Sequence, residues 1–306
     1  MKWIVVLFLS SILFATVDTN LPYLQKLDAD EIAKQVYFVN HQFYLKNQIL
    51  KSKKKKSLLI VKKPYGKKPM VLRVERFLNN DYKNGVIKSK DLIIFLSGNL
   101  KGTGVLAKEF RDESKSLDIR MWFPALRKVR RMAEPSKNMG YSAADVAFLE
   151  EAKLRRLSDD VYRLIGTREM TFNFKQMQIP SSQLNRFTKQ LPQDKKSISK
   201  KVFILKATPN EKAWYDYRID YVDTKHFTTY RTKFYLGKKI VKIIDRQWEK
   251  IKSLKDERAY MWYYWYSINP ETKFETVNFV PRSIVKNNVK KYKSSFWSER
   301  TLRKLK

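Results

Sequence analysis

Two histidines, His41 and His226, are the only imidazoles in the chain, and there is no cysteine. A metal centre needs clustered imidazole, thiolate or carboxylate ligands, and a nucleophilic triad needs a base beside its nucleophile. Neither histidine has a second one near it, so both read as surface or packing residues. The missing cysteines also remove disulfides, thiolate chemistry and a lipid-modified N-terminal cysteine. GNLKGTG, residues 98–104, has the glycines and lysine of a phosphate loop. Its spacing matches neither GxxxxGKS nor GxGxxG, and no helical pattern follows, so it reads as a glycine-bearing hairpin corner. The chain is therefore read as a non-enzyme with no catalytic residue, no metal ligand and no cofactor.

The remaining chemistry is charge and aromatic surface. Lys and Arg number 64 against 30 Asp and Glu in 306 residues, a net charge of +34. Such a surface attracts polyanions: nucleic acid, anionic lipid or an acidic protein. The run KSKKKK, 51–56, reads as a solvated hairpin tip that adds general attraction without base readout. In YMWYYWY, 260–266, strand alternation points Tyr260, Trp262, Tyr264 and Tyr266 to one face and Met261, Tyr263 and Trp265 to the other. Such a strand serves either a sandwich core or the wall of a cavity for acyl chains. Enclosure is worthwhile: at about 0.8 kcal/mol per methylene, a diacyl lipid of about thirty methylenes costs roughly 24 kcal/mol to leave bare in water. Composition does not choose between the two.

The elements that must position these residues begin after an N-terminal export signal. Met1 and Lys2 precede an apolar run from Trp3 to Phe14, too short for a span of about 20 residues, and 1–17 is read as a cleavable secretory signal. Export, and hence a periplasmic location, argues against nucleic acid as a partner. Asp28 with Glu31 caps a helix over about 28–43, carrying Ile32, Val36, Val39 and Phe43 at helical spacing. Ser142 with Asp145 signals a second helix to about Leu157. Otherwise short period-two segments alternate with turns: SLLIVKK, MVLRVERF, DLIIFLSG, GTGVLAKEF, then 214–222, 227–235, 240–248 and the hairpin YMWYYWY/FETVNFV. In 214–222, Tyr215, Tyr217, Ile219 and Tyr221 alternate with Asp216, Arg218 and Asp220, the pattern of a half-buried strand. Residues 171–200 are polar and read as a mobile insertion, and 18–306 as one domain.

One segment resembles a known family. MWFPALRKVRRMAEPSKNMG, 121–140, is similar to the signature of the bacterial outer-membrane lipoprotein-sorting proteins, the LolA/LolB-like periplasmic carriers. Trp122, Pro124, Ala125, Leu126, Arg127, Val129, Arg130 and Arg131 match it, followed by Met139 and Gly140. LIIFLSGNLKGTGVL, YDYRIDYVD, YRTKFYLGKKIVK and WSERTL agree with it in order. Asn138 stands where relatives have Phe, and the stretch to Asp145 is about two residues short, which leaves the roles of Ser142 and Asp145 open.

The resemblance implies a mainly β (α+β) fold in which a strongly curved antiparallel sheet forms an incomplete barrel covered by helices. It implies a periplasmic carrier that binds acyl chains of lipoproteins, or anionic lipid, and passes them from an inner-membrane transporter toward an outer-membrane acceptor. The rivals are a lipid-binding accessory of an inner-membrane RND-type transporter and, in another class, an exported binder of polyanions or nucleic acid. Motif and alternation nominate Trp122, Phe123, Arg127, Arg130, Arg131, Met139, Tyr260, Trp262, Tyr264 and Tyr266 as cavity wall or rim. For the three arginines, a rim that grips phosphate or carboxylate and internal pairing with Glu134 or Asp145 stand as equals.

Overall fold

A computed structural model describes residues 20–82, 85–133, 156–194 and 196–304. The signal segment 1–17, Met139, Glu134, Asp145 and all but the last two residues of the expected second helix lie outside them.

The strands are β1 (Asn47–Leu50), β2 (Leu58–Lys63), β3 (Met70–Asn79), β4 (Ile87–Phe95), β5 (Gly104–Phe110), β6 (Asp118–Phe123) and β7 (Lys128–Met132), followed by β8 (Asp160–Asn173), β9 (Ser197–Pro209), β10 (Tyr217–Asp223), β11 (Thr229–Leu236), β12 (Lys239–Lys250), β13 (Tyr260–Ile268), β14 (Glu275–Phe279) and β15 (Val285–Asn287). All belong to one antiparallel sheet in the order β7-β6-β5-β4-β3-β2-β14-β13-β12-β11-β10-β9-β8, with β7 and β8 at its unjoined ends. β1 lies off this path and pairs with β3 and β15. Both β1 and β2 pair with β3, β1 at Arg76–Asn79 and β2 at Met70–Val74. They behave as one strand from which residues 51–57 are thrown out. The expelled piece is the lysine run, closed by reciprocal backbone hydrogen bonds between Lys53 and Lys56, and Lys53 to Lys56 are exposed. The lysine tip is thus where the sequence placed it.

GNLKGTG forms the expected corner, a single 3-10 turn (Gly98–Leu100) between β4 and β5. Gly98 is left-handed, with φ +69°, and a Cβ there would meet Leu72 Cδ2 at 2.8 Å. Glycine is what this close crossing admits. Pro124, which has no N–H to give to a ladder, ends β6 and opens a 3-10 turn (Pro124–Leu126) before the edge strand β7.

Helix α1 (Ala29–Asn40) lies on the concave face of the sheet. Asp28 caps it by accepting from the Asp30 N–H at 2.8 Å. Its apolar stripe of Ile32, Ala33, Phe38 and Val39 packs on Phe203, Leu205, Val222 and Phe227 of β9, β10 and the turn beyond. The opposite face has two covers. Over β3 to β6 lies the C-terminal segment with the short helix α2 (Glu299–Arg303), where Trp297 and Leu302 pack on Phe77, Leu92, Leu106 and Trp122. Over β2, β13 and β14 lies the chain between β8 and β9, where Met177 and Leu191 pack on Leu59, Val61, Tyr264, Tyr266 and Val277.

That second cover is drawn from the polar stretch 171–200. Residues 171–173 end β8, 197–200 begin β9, and the stretch between them packs on the sheet through Met177 and Leu191, with Ile179 and Phe187 half-buried beside them. The segment looks polar because few of its side chains face inward.

Candidate functional site

Beneath α1 the sheet curls around a cavity of about 1460 Å³, its mouth included. α1 contributes Ala33, Val36, Tyr37 and Asn40, and the sheet contributes residues from β2, β3 and β4 round to β8. That one helix shares a cavity with strands so far apart in the order measures the curvature. One side is apolar, with Leu58, Val74 and Ile93 from β2, β3 and β4. The other, on β10 to β12, carries Arg218, Asp220, Thr232, Lys242 and Arg246. Trp262 and Trp265 of β13 stand between them.

The two tryptophans share the cavity because β13 is bulged. Gln247 pairs with Tyr264 and Trp248 with Trp262, so Tyr263 is the extra residue and alternation restarts there. The expected set of Tyr260, Trp262, Tyr264 and Tyr266 on one face is therefore broken. Trp262 lines the cavity, whereas Tyr264 and Tyr266 are buried under the Met177–Leu191 cover on the other face. Tyr260 stacks on His226 with ring centroids 4.4 Å apart.

The other nominated residues that are described lie elsewhere. Trp122 is in the core beneath α2, and Phe123 is half-buried at the end of β6. Arg127, just before β7, and Arg130 and Arg131 on it are exposed, with Arg131 Nε 3.7 Å from Asp118 Oδ1. Of the ten nominated residues, Trp262 is the one the described cavity contains.

The alternation of β10 marks a half-buried strand without saying which half lies inside. Arg218 and Asp220, the polar half of the alternating strand, point inward, and Asp220 is 7% exposed. Arg218 donates to Asp160 Oδ2 at 2.8 Å, to Asp220 Oδ2 at 3.0 Å and to the Tyr215 hydroxyl at 3.2 Å. Burial acts to lower the Arg218 guanidinium, but Tyr215, Asp160 and Asp220 outweigh it and hold it above its ordinary value. Asp220 also accepts from Thr232 Oγ1 at 2.7 Å, and Thr232 in turn accepts from Arg246 Nη1 at 2.9 Å. Arg246 lies over the Trp265 ring, 5.1 Å from its centroid. The signal available was the even spacing of Lys242, Ile244 and Arg246, which puts all three on one face of β12.

Two buried charged networks hold α1 over this cavity. Near its C-terminus, Lys88, 1% exposed, donates to the Tyr37 hydroxyl at 2.6 Å and to Glu109 and Glu113 at 3.2 and 3.4 Å. His41 Nε2 lies 3.6 Å from Glu109 Oε2. Burial opposes the Glu109 charge, but His41 and Lys88 more than offset it and hold its carboxyl well below the usual range. On the preceding turns, Arg258 donates to Gln35 Oε1 at 2.8 Å and to the Leu21 carbonyl at 3.0 Å, with its guanidinium 4.0 Å from the Phe38 ring centroid.

No protein-family model matches the sequence, and no curated protein matches it. Solved structures do match the fold. An outer membrane lipoprotein-sorting protein domain from Vibrio parahaemolyticus superposes with a TM-score of 0.64 at 14% identity, covering 90% of this chain and 98% of that one. A DUF1329 family protein from Desulfovibrio piger gives 0.63 at 17% identity, covering 89% and 97%. A LolA superfamily protein from Nitrosomonas europaea gives 0.53 at 11% identity, covering 90% and 100%. The fold is LolA-like. The resemblance in WFPALRKVRR thus pointed to the right architecture, a curved antiparallel sheet left open with helices on its faces. In this LolA-like frame the cavity lies between α1 and the concave face, with a polar wall on β10 to β12.

Proposed function

We propose that this protein is a non-enzymatic periplasmic carrier that holds the acyl chain of a lipoprotein or lipid in the cavity beneath α1 and delivers it toward the outer membrane. The observation that carries the reading is the cavity itself. A sheet that closed tightly on its own side chains would have no room for a ligand, whereas this one leaves space lined by Leu58, Val74, Ile93, Leu205, Trp262 and Trp265. Burying methylenes there at about 0.8 kcal/mol each supplies the binding energy, and no covalent step is needed. The likeness to an outer membrane lipoprotein-sorting domain supports the same reading at the level of fold. The net charge of +34 gives the carrier a salt-sensitive attraction to anionic membrane surfaces or to an acidic transporter or acceptor.

The test is organic extraction of protein purified without detergent, followed by mass spectrometry. A lipid recovered at near-stoichiometric yield supports carriage. A clean extract together with tight, salt-sensitive binding to polyanions overturns it in favour of a polyanion binder.

A further inference from the structure

The hairpin turns at one end of the sheet share a composition that the cavity does not explain. The registers Gly104 with Trp122, Val74 with Phe95, Lys62 with Met70, Glu275 with Lys63 and Ile243 with Ile268 bring five turns to that end: 124–127, 96–103, 64–69, 269–274 and 237–238. They join ten strands that are neighbours in the sheet, from β7 to β11. Successive turns are therefore two strand spacings apart, about 10 Å, and the row runs roughly 38 Å along the curved edge.

Four of these turns hold a large apolar side chain out to water, in the turn or at its edge: Tyr65 is 76% exposed, Leu126 50%, Leu236 48% and Leu100 37%. Each has exposed cations beside it, Lys67 and Lys68, Arg127 and Lys128, Lys238, and Lys101 respectively. The five turns contain six lysines or arginines and one carboxylate, Glu271, which Lys239 meets at 3.0 Å. Arg127 and Lys273 lie in the left-handed region, at φ +47° and +56°, which favours glycine, so these cations are held at a conformational cost. Among the described residues, the hairpin turns at the other end expose one large apolar side chain, Val86, and two of those turns, 111–117 and 251–259, carry Asp112, Glu113, Asp256 and Glu257. The lysine run 51–56, thrown out beside β3, contains no apolar residue.

We propose that this end of the sheet is a docking rim for an anionic bilayer, with Tyr65, Leu100, Leu126 and Leu236 entering the headgroup layer and the cations beside them meeting lipid phosphates. Apolar burial and attraction to anionic headgroups add at such a surface, where each lysine or arginine is worth about fivefold in affinity. The spacing favours lipid over a protein partner. A protein interface closes around a contiguous apolar centre, whereas these side chains stand about 10 Å apart on a curved line, and a fluid surface receives each one separately. The exposed Tyr65 suits the headgroup level, where amphipathic rings collect. The rim goes beyond the carrier reading, since it holds whether or not the cavity carries a lipid.

The test uses the absence of cysteine, which lets a nitrobenzoxadiazole dye on one introduced thiol report one position of the full chain. A local readout is needed because the apolar run Trp3 to Phe14 can itself bind lipid. Dye on Leu100→Cys, Leu126→Cys or Leu236→Cys should shift to the blue and brighten about twofold or more on vesicles of phosphatidylglycerol and phosphatidylcholine in equal parts, and respond little to phosphatidylcholine alone. Dye on Lys55→Cys, in the lysine run, or Lys252→Cys, at the other end, should not respond. Read at Leu126→Cys, Lys68→Gln and Lys238→Gln should each weaken vesicle affinity about fivefold. Tyr65→Ser with Leu236→Ser should weaken it about tenfold or more at unchanged charge, with near-ultraviolet circular dichroism confirming each fold. No response at the three rim positions, an equal response at all five, or an affinity indifferent to Tyr65→Ser with Leu236→Ser overturns the rim. The carrier reading survives each of those results, because it is tested by lipid extraction.

Discussion

Trp262 and Trp265, three positions apart on one strand, meet edge to face with ring centroids 5.5 Å apart. A regular strand would send them to opposite sides of the sheet, and the bulge at Tyr263 brings them together. Trp265 is the more buried. Trp265→Ala should therefore lower stability by about 3–5 kcal/mol in urea denaturation, and the half-buried Trp262→Ala by less. Equal losses at the two positions would mean that both rings are core and neither faces an accessible cavity.

The network at the C-terminal end of α1 should behave as a buried ion cluster. Lys88→Met leaves Glu109 and Glu113 without their shared cation and should cost about 3–5 kcal/mol. Hydrogen exchange of the α1 amides should rise with it, because Lys88 also holds Tyr37. A loss below about 1 kcal/mol would show that this network does not hold the helix.

Acid should weaken the fold, and the sign follows from two groups. Burial lowers the His41 imidazole from its ordinary 6.5, more than nearby Glu109 raises it, and Lys88 lowers it further. Below about pH 6.5 the unfolded chain then binds a proton that the folded chain does not, so stability falls as pH drops from there toward the folded value. Glu109, held well below 4.5, adds a loss in the same direction at more acid pH. His226 is also lowered, mainly by burial. Thermal midpoints should decline between pH 7 and pH 5, and His41→Gln should flatten part of that decline. Stabilisation on acidification would mean that His41 is held charged against Glu109.

The cover between β8 and β9 should contribute as core does. Met177→Ala and Leu191→Ala, each replacing a side chain 5% exposed, should cost about 2–5 kcal/mol apiece. Surface-loop substitutions would stay within about 0.5 kcal/mol.

Much of the frame was legible. Alternation located β2 to β5 and β10 to β14, the Asp28 cap located α1, and the glycine spacing of 98–104 gave a corner instead of a phosphate site. The harder question was which face of a strand lies inside. In YDYRIDYVD the tyrosines look like the buried side, yet Arg218 and Asp220 face the cavity because α1 roofs that side and salt bridges offset the burial of their charges. In YMWYYWY, period two fails at a single inserted residue that no local signal marks. Met177 and Leu191 were hidden for a different reason: a few scattered apolar side chains, Ile179 and Phe187 among them, anchor a loop that is otherwise polar.

The middle of the sheet joins distant parts of the chain. Leu59 pairs with Phe279 and Gln48 with Asn287, so β1 and β2, each joined to β3 on one side, find their second partners only near the end of the sequence. Neither half can complete its hydrogen bonding alone, and closing loops of more than 200 residues is slow. Emerging from a ribosome or a membrane pore, the polypeptide must wait for its last strands before the two halves zip together. Until then its unpaired edges lie open to a chaperone or to aggregation.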